Sequence, residues 1–228
     1  MRKITVGLFS GADGVVAEPQ TWHFPYFGEE LGAAVMKQIG ETDTVLFGRK
    51  TYEGFAESWP AREEAKGDDY LMAKALGDKR KIVVSHSPLE FTWRNSEQVQ
   101  GDLIEYVKEL KAEEGGTIGL SGSVSVVRQL MRAGLLDELH LYIHPVAVGN
   151  GLRLWEDDLD EPLKLKLISC DVFKTGTLHV VYGGRLSGGG RRRRSVGPVA
   201  AAPAAVVVAV VRVAVPGRHD LGRRRGDP

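Results

Sequence analysis

The stretch of residues 44–53, TVLFGRKTYE, carries residue types that suit phosphate binding. A short apolar run stops at Gly48, and a cation and a hydroxyl follow in Arg49 and Thr51. This order predicts a buried strand leading into a helix whose first turn has unpaired N–H groups. Gly48 permits close approach of a ligand or another backbone, and Arg49 presents a rigid fork of donors. The stretch is therefore a candidate phosphate site, with a solvated corner of the chain as the alternative.

Two more predicted strands end in residues of the same chemical kind. One is followed by Ser85 and His86, and the other by Ser121, Gly122 and Ser123. Small residues before a helix let phosphate oxygens reach its N–H groups, although a serine that simply caps the helix is the alternative. Ligands of open α/β sheets lie beyond the carboxyl ends of strands. The recurrence of this chemistry at three strand ends favours a nucleotide cofactor.

The elements that must position these residues alternate between strand and helix along the first two-thirds of the chain. Strands are predicted at residues 4–9, 44–47, 81–84, 117–120, 138–143, 163–173 and 178–182, and helices at residues 29–39, 68–76, 102–111 and 123–131. The last strands follow one another without a helix, which is typical of antiparallel pairing. The pattern predicts an α/β fold with a mostly parallel sheet and an antiparallel C-terminal edge.

The composition divides the chain at residue 187. Residues 187–228 hold nine arginines and two acids, a net charge of +7, which leaves 21 basic and 28 acidic residues in the rest of the chain. We expect one domain over residues 1–186 and a disordered tail rich in Gly, Arg, Ala and Val over residues 187–228. The residue types of this tail all have GC-rich codons, which is the composition expected of a read-through product of a GC-rich gene. The mildly acidic body argues against a nucleic-acid-binding protein, and the interrupted apolar run in the tail is short for a membrane span.

Cysteine and histidine usage excludes other classes. Cys170 is the single cysteine, so no internal disulfide framework exists and a reducing cytoplasm is expected. The six histidines are scattered without zinc-ligand spacing, so no metal site is predicted. The amino terminus lacks the pattern of a signal peptide.

An ordered set of motifs resembles the dihydrofolate reductase superfamily, and within it the branch of riboflavin-biosynthesis reductases with its stand-alone members. The motifs are SGADGVV at 10–16, WHFP at 22–25, GRKTYE at 48–53, VS at 84–85, GLSGS at 119–123 and PVAVGNG at 145–151. The resemblance covers residues 2–185. It implies a three-layer fold with helices on both faces of the sheet, hydride transfer from NADPH, and a homodimer to which Leu139, Leu141 and Ile143 can contribute.

The resemblance also implies roles for individual residues. Gly48, Arg49, Lys50 and Thr51 would meet the cofactor phosphates, Ser85 and His86 would lie by the adenosine 2′-phosphate, and Ser121, Gly122, Ser123 and Val124 would hold the pyrophosphate. Val15 and Val16 would edge the nicotinamide, near a loop that contains Gly149 and Gly151. Asp13, in the same first loop, is a candidate catalytic residue, or an ordinary turn residue.

The chain departs from the folate-reducing members at Phe27, which stands where those proteins carry an acid. His23 and Glu30 are the remaining candidates for proton transfer, with a surface histidine and a first-turn helix carboxylate as their alternatives. Trp22 and Phe27 are candidates for stacking on a flat substrate, or for a core or dimer patch.

The expected function is NADPH-dependent reduction of a planar heterocycle of pyrimidine, pterin or flavin type. The expected activity resembles that of 5-amino-6-(5-phosphoribosylamino)uracil reductase. A non-catalytic nucleotide-binding module and a true dihydrofolate reductase are the alternatives.

Overall fold

The computed structural model describes residues 1–155 and 163–183 of the 228-residue chain. The strands in these ranges are β1 (Ile4–Gly11), β2 (Thr42–Gly48), β3 (Arg80–Val84), β4 (Ser96–Gln98), β5 (Thr117–Leu120), β6 (Glu138–His144), β7 (Lys166–Val172) and β8 (Leu178–Gly183). The helices are α1 (Glu29–Glu41), α2 (Arg49–Ala65), α3 (Tyr70–Asp78), α4 (Leu103–Ala112) and α5 (Val124–Arg132). Short 3₁₀ turns at Pro19–Thr21 and Phe24–Tyr26 precede α1.

The eight described strands form one sheet in the order β4-β3-β2-β5-β1-β6-β8-β7. Strands β1 to β6 pair in parallel, whereas β6 with β8 and β8 with β7 pair antiparallel. The predicted mostly parallel sheet with an antiparallel C-terminal edge is therefore confirmed. Because β2 lies between β3 and β5, the three strand ends with phosphate-type chemistry are neighbours at one edge of the sheet.

Two apolar cores lie on opposite faces of this sheet. Side chains alternate along a strand, so Leu46 belongs to one core and the adjacent Phe47 to the other. Helices α4 and α5 cover the Leu46 face through residues such as Val107 and Leu130. Helices α2 and α3 cover the Phe47 face, and α1 packs beside them through partly buried Val35. This arrangement is the α/β fold, with helices on both faces, that the resemblance implied.

The structure also contains features that the sequence patterns did not predict. Strand β4 consists of polar residues, without an apolar alternation, and is held by pairing with β3. Helix α2 runs for 17 residues through Pro60, a residue type that normally ends a helix. Strand β7 begins at Lys166 rather than at residue 163. In each case pairing or packing with neighbours decides the element.

Two of the three apolar residues expected at a dimer contact are buried, and the homodimer itself stays a prediction. Leu139 and Leu141 are buried in the core of this chain, so neither presents a free apolar surface. Strand β7, at the edge of the sheet, instead carries three exposed apolar residues, Leu167, Ile168 and Val172. Within the described ranges, no helix has the length and apolar character needed to cross a membrane. The predicted tail over 187–228 lies outside the described residues.

Candidate functional site

The end of β2 and the end of β5 meet in a close contact. A Cβ added to Gly48 would lie 2.1 Å from the Ser123 Oγ atom, so only glycine fits at this position. Gly48 itself has an ordinary extended conformation, with φ of −81°, so the requirement is steric and not conformational. The contact places the first turns of α2 and α5 side by side.

Neither of these two helices is capped by a side chain. Gly48 is the N-cap of α2 and has no side chain, and Ser123, the N-cap of α5, makes no capping hydrogen bond. The Ser123 hydroxyl instead shares a hydrogen bond of 3.0 Å with the Thr51 hydroxyl in the first turn of α2. The expectation that Ser123 only caps its own helix is therefore wrong. Two positive helix ends converge on one small polar region, which suits anion binding.

Gly122 and Val124 complete this region. Gly122 has a φ of +131°, which favours glycine, and a Cβ there would lie 3.3 Å from Thr51 Oγ1. The peptide between Gly122 and Ser123 is cis. The Val124 side chain is buried in the core beneath α5, so the contribution of this residue to an anion site is its backbone N–H. The sequence placed all of these residues at one site, and the structure brings them together.

Arg49 connects this region to the end of β3. Its guanidinium donates to Glu53 Oε1 at 2.7 Å and to the Ser87 hydroxyl. Ser87 is tied to Ser85, whose hydroxyl donates to the Ser87 carbonyl at 2.8 Å. The carboxamide of Gln98 on β4 also donates to the carbonyls of Ser85 and Ser87, at 3.2 and 3.1 Å. Ser87 and Gln98 were missed because nothing in the sequence links them to Arg49 before β3 and β4 are paired.

Lys50 and His86 lie at the rim of the same edge. Both side chains are exposed, so they present a cation and an imidazole to solvent beside the two helix ends.

The first loop after β1 is fastened to the loop after β6 through Asp13. Asp13 Oδ2 accepts a hydrogen bond from the Gly149 N–H at 2.7 Å, and the Arg153 guanidinium donates to the Asp13 carbonyl at 3.2 Å. The Gly149 N–H also lowers the pKa of the Asp13 carboxyl below its ordinary value. A carboxyl with a lowered pKa is ionised at neutral pH and suits loop organisation better than proton donation. Its catalytic role stays a prediction.

Val15 and Val16 are buried where these two loops pair. Val15 forms an isolated antiparallel bridge with Arg153, and the Val16 N–H donates to the Leu152 carbonyl at 2.8 Å. Gly151 has a φ of +141°, and a Cβ there would lie 2.7 Å from Val15 Cγ1. The loop pairing therefore depends on glycine at 151.

A largely apolar cavity of about 110 Å³ lies beside this loop pair, between the sheet and helices α1 to α3. Val16 of the first loop and Ser121 of the β5 end line it together with residues of the sheet. Its helical walls are formed by Val35, Ile39, Phe55, Trp59, Met72 and Leu76. The cavity thus adjoins residues that the resemblance assigned to the cofactor, and the sequence did not predict it.

Trp22 and Phe27 are not among the residues that line this cavity. The Trp22 indole donates to the Ala17 carbonyl at 3.0 Å and packs edge-on against His144. Phe27 packs edge-on against His23, with ring centroids 5.6 Å apart. The rings of Trp22 and Phe27, which were predicted to stack on a substrate, therefore pack against histidines of the same chain. Phe9 lines the cavity and stacks on His23, so it lies between His23 and the cavity.

His23 is fully buried, so the alternative that it is a surface histidine is wrong. Its ring stacks on Phe9 with centroids 4.7 Å apart. Glu30 lies in the first turn of α1, as its alternative predicted, and its Oε2 accepts a hydrogen bond from the Lys174 N–H at 2.6 Å. That bond holds the turn between β7 and β8. Proton transfer by His23 or Glu30 stays a prediction.

The part of the chain that the structure describes contains no cluster of metal-ligating side chains. No group of three or more His, Cys, Asp or Glu side chains there could hold a metal ion.

Comparison with known proteins identifies the family. The model of the RibD C-terminal domain matches residues 2–179. YyaP of Bacillus subtilis is 30% identical over 144 residues, which cover 63% of this chain and 75% of YyaP.

Two solved structures share the fold. A putative riboflavin biosynthesis protein from Shewanella sp. PV-4 superposes with a TM-score of 0.59 at 17% identity, covering 79% of this chain and 98% of that one. Dihydrofolate reductase from Enterococcus faecalis, solved with NADP(H), superposes with a TM-score of 0.51 at 14% identity, covering 79% and 95%. Together with the geometry above, these matches show that the chain belongs to the RibD C-terminal domain family and has the dihydrofolate reductase-like fold.

Proposed function

We propose that this protein is a reductase that transfers hydride from NADPH to a small planar heterocycle. The observation that carries the proposal is the convergence of two uncapped helix N-termini at the Gly48–Ser123 contact, beside an apolar cavity. Membership of the RibD C-terminal domain family supports a reductase related to those of riboflavin biosynthesis. The fold shared with an enzyme solved with NADP(H) supports a nicotinamide cofactor.

The residues at the sheet edge fit the phosphates of such a cofactor. Gly48 and Gly122 lack the Cβ atoms that would fill the space between α2 and α5. The first-turn N–H groups of both helices would hold the pyrophosphate, and Arg49 with Ser85 and Ser87 would hold a 2′-phosphate. When bound, NADPH supplies the hydride, so the protein is left to bind, orient and exclude water.

The paired loops after β1 and β6, together with the cavity, would orient the substrate against the cofactor. Asp13 and Arg153 fix the first loop against the loop that contains Gly149. Val16 then stands at the boundary between this loop pair and the cavity. Holding a flat ring in an apolar cavity next to the cofactor edge reduces the entropic cost of hydride transfer and excludes water.

The test is a calorimetric titration of the full chain with NADPH and, as comparator, NADH. We expect saturable NADPH binding and weaker NADH binding, because NADH lacks the 2′-phosphate that Arg49, Ser85 and Ser87 would contact. Cofactor oxidation is then followed with a panel of uncharged pyrimidines, pterins and flavins, to which 7,8-dihydrofolate is added as a charged member. Absence of binding for both nucleotides would overturn the proposal.

A second candidate function is nucleotide binding without catalysis. It is favoured because no candidate proton donor among the acidic residues is free of a structural hydrogen bond. Phe27 replaces the acid of folate-reducing proteins, and the carboxylates of Asp13 and Glu30 each accept a backbone hydrogen bond that holds a loop. This candidate predicts the same NADPH affinity with no cofactor oxidation across the panel. Turnover of any panel member above the rate without protein would exclude it.

A further inference from the structure

The apolar cavity has a lining that specifies its ligand more narrowly than a planar heterocycle. We propose that it binds a single uncharged aromatic ring that carries a hydrogen-bond acceptor but no phosphate, and that the indole N–H of Trp59 binds the acceptor. The inference rests on the proposed function only in treating this ring as the part of the substrate that is reduced.

The size of the cavity sets the size of the ring. An engineered apolar cavity of about 150 Å³ binds benzene. The cavity here, of about 110 Å³, is in the same range and is walled by aliphatic and aromatic side chains from α1, α2 and α3. Apolar walls of this kind favour a flat, weakly hydrated ligand over a polar one.

Trp59 supplies the main argument for an acceptor on the ring. This side chain lines the cavity and is 2% exposed, and its Nε1–H has no hydrogen-bond acceptor among the described residues. A buried donor without an acceptor is costly, so such donors are rare in native proteins unless a ligand or water completes them. The Arg62 guanidinium lies over the ring, 5.5 Å from its centroid, and thus covers a face of the indole and not its N–H edge.

Two hydroxyl groups in the lining of the cavity have hydrogen-bond partners. The Tyr142 hydroxyl donates to Gln38 Oε1 at 3.4 Å, and burial raises the pKa of Tyr142 well above its usual range, so the phenol stays neutral. The Thr42 hydroxyl donates to the Gln38 carbonyl at 2.9 Å. These groups form a neutral wall, and the Trp59 N–H is a buried donor in the same lining for which the described residues supply no acceptor.

Lys79 is the one cation among the lining residues, and its surroundings argue against a phosphate. Its ammonium donates to the Thr42 carbonyl, and burial lowers the pKa of Lys79. A phosphate dianion placed in this cavity would lose its hydration against mostly apolar walls and meet only this one amine. The chemistry therefore fits a ring without phosphate, unlike the phosphoribosyl substrate in the name of 5-amino-6-(5-phosphoribosylamino)uracil reductase.

The experiment uses three one-ring probes at pH 8: benzene, pyridine and phenyl phosphate. Benzene and pyridine have the same shape and differ by one acceptor nitrogen. Binding to the full chain is followed by chemical shifts of the tryptophan indole N–H groups. We expect both uncharged rings to bind, and the Trp59 N–H resonance to move strongly with pyridine and weakly with benzene.

Two variants isolate the hydrogen bond. Trp59→Phe keeps an aromatic wall and removes the N–H, so pyridine affinity should fall about tenfold while benzene affinity changes less than threefold. Trp93→Phe is the matched control, because Trp93 is equally buried and its N–H also lacks an acceptor, but it does not line the cavity. Its probe affinities should equal those of the unmodified protein.

Three results would overturn the inference. Trp59→Phe could weaken benzene and pyridine equally, neither ring could bind, or phenyl phosphate could displace benzene at lower concentration than pyridine does. None of these measurements requires NADPH. A protein that binds pyridine through Trp59 but binds no NADPH would refute the proposed function alone, and one that binds NADPH but neither ring would refute this inference alone.

Discussion

Gly48→Ala tests the contact on which the proposed cofactor site depends. The new Cβ would lie 2.1 Å from Ser123 Oγ and 2.8 Å from Ser123 Cβ, so the turn between β5 and α5 must move. Inserting one methyl group into a filled space costs roughly 1–3 kcal/mol. Part of this cost is offset because alanine reduces the entropy of the unfolded chain by roughly 0.4–1 kcal/mol. We therefore expect a net loss of about 1–2 kcal/mol in the free energy of unfolding.

The effect on NADPH binding should exceed the effect on stability. Moving Ser123 breaks its hydrogen bond to Thr51 and separates the two helix ends that would share the pyrophosphate. Since each hydrogen bond to a charged group is worth roughly 1.5–3 kcal/mol, NADPH affinity should fall at least tenfold. Urea unfolding and calorimetric titration at one temperature measure the two effects separately.

Two further variants make the reasoning refutable. Gly40→Ala, on α1, has nothing within 4 Å of its new Cβ, so it should raise stability by about 1 kcal/mol and leave NADPH binding unchanged. Adding Ser123→Gly to Gly48→Ala removes the atoms that clash and should restore part of the stability. If Gly48→Ala matches the unmodified protein in both assays, the close approach of β2 and α5 is not a feature of the protein in solution.

Other consequences of the structure can be measured directly. Arg49→Ala should weaken NADPH about tenfold and NADH much less in calorimetry, and equal losses would remove Arg49 from the 2′-phosphate site. Asp13→Asn should speed hydrogen exchange at the Gly149 amide several-fold, and unchanged exchange would show that the Asp13 carboxylate does not hold this loop. Burial, and secondarily the charge of His140, lowers the pKa of His179 to about 4, whereas an unfolded histidine titrates near about 6.5. Between these values the unfolded chain binds more protons, so stability should fall as the pH drops from about 6.5 to 4, by about 1–2 kcal/mol after allowance for partial exposure. His179→Phe should lessen that loss in urea unfolding at pH 7 and 4.5, and an identical pH dependence would contradict the lowered pKa.

The sheet and the meeting of three strand ends with phosphate-type residues were predictable from the sequence because local signals coincide there. Apolar runs end at glycine, serine and cation at three places, and parallel strands bring their carboxyl ends to one edge. Arg49, Thr51 and Ser123 therefore converge in the structure as the order of elements requires. The signal in each case is confined to a few consecutive residues.

The cavity and the packing of the aromatic residues were not predictable in the same way. Phe55 and Trp59 repeat with the period of an apolar helix face, and nothing in that period distinguishes a core from a cavity wall. Trp22 and Phe27 lie in an aromatic-rich segment, from which stacking on a flat substrate was predicted. In the structure their rings pack against His144 and His23. Only tertiary packing decides which aromatic rings surround empty space.

The ionisable groups that line the cavity determine the pH profile that we expect for the reaction. It contains no carboxyl group and no histidine, and its ionisable groups are Tyr142, whose pKa is raised by burial, and Lys79, whose pKa is lowered. If the substrate ring is reduced in this cavity, neither a carboxyl group nor a histidine of the lining meets it, so we expect kcat/KM to be flat between about pH 5.5 and 7.5. A proton would then come from water or from the substrate itself. A fall in kcat/KM as the pH is lowered through that range would instead place a carboxyl group or a histidine at the reacting ring. The reaction would then take place outside the cavity, whose lining contains neither group.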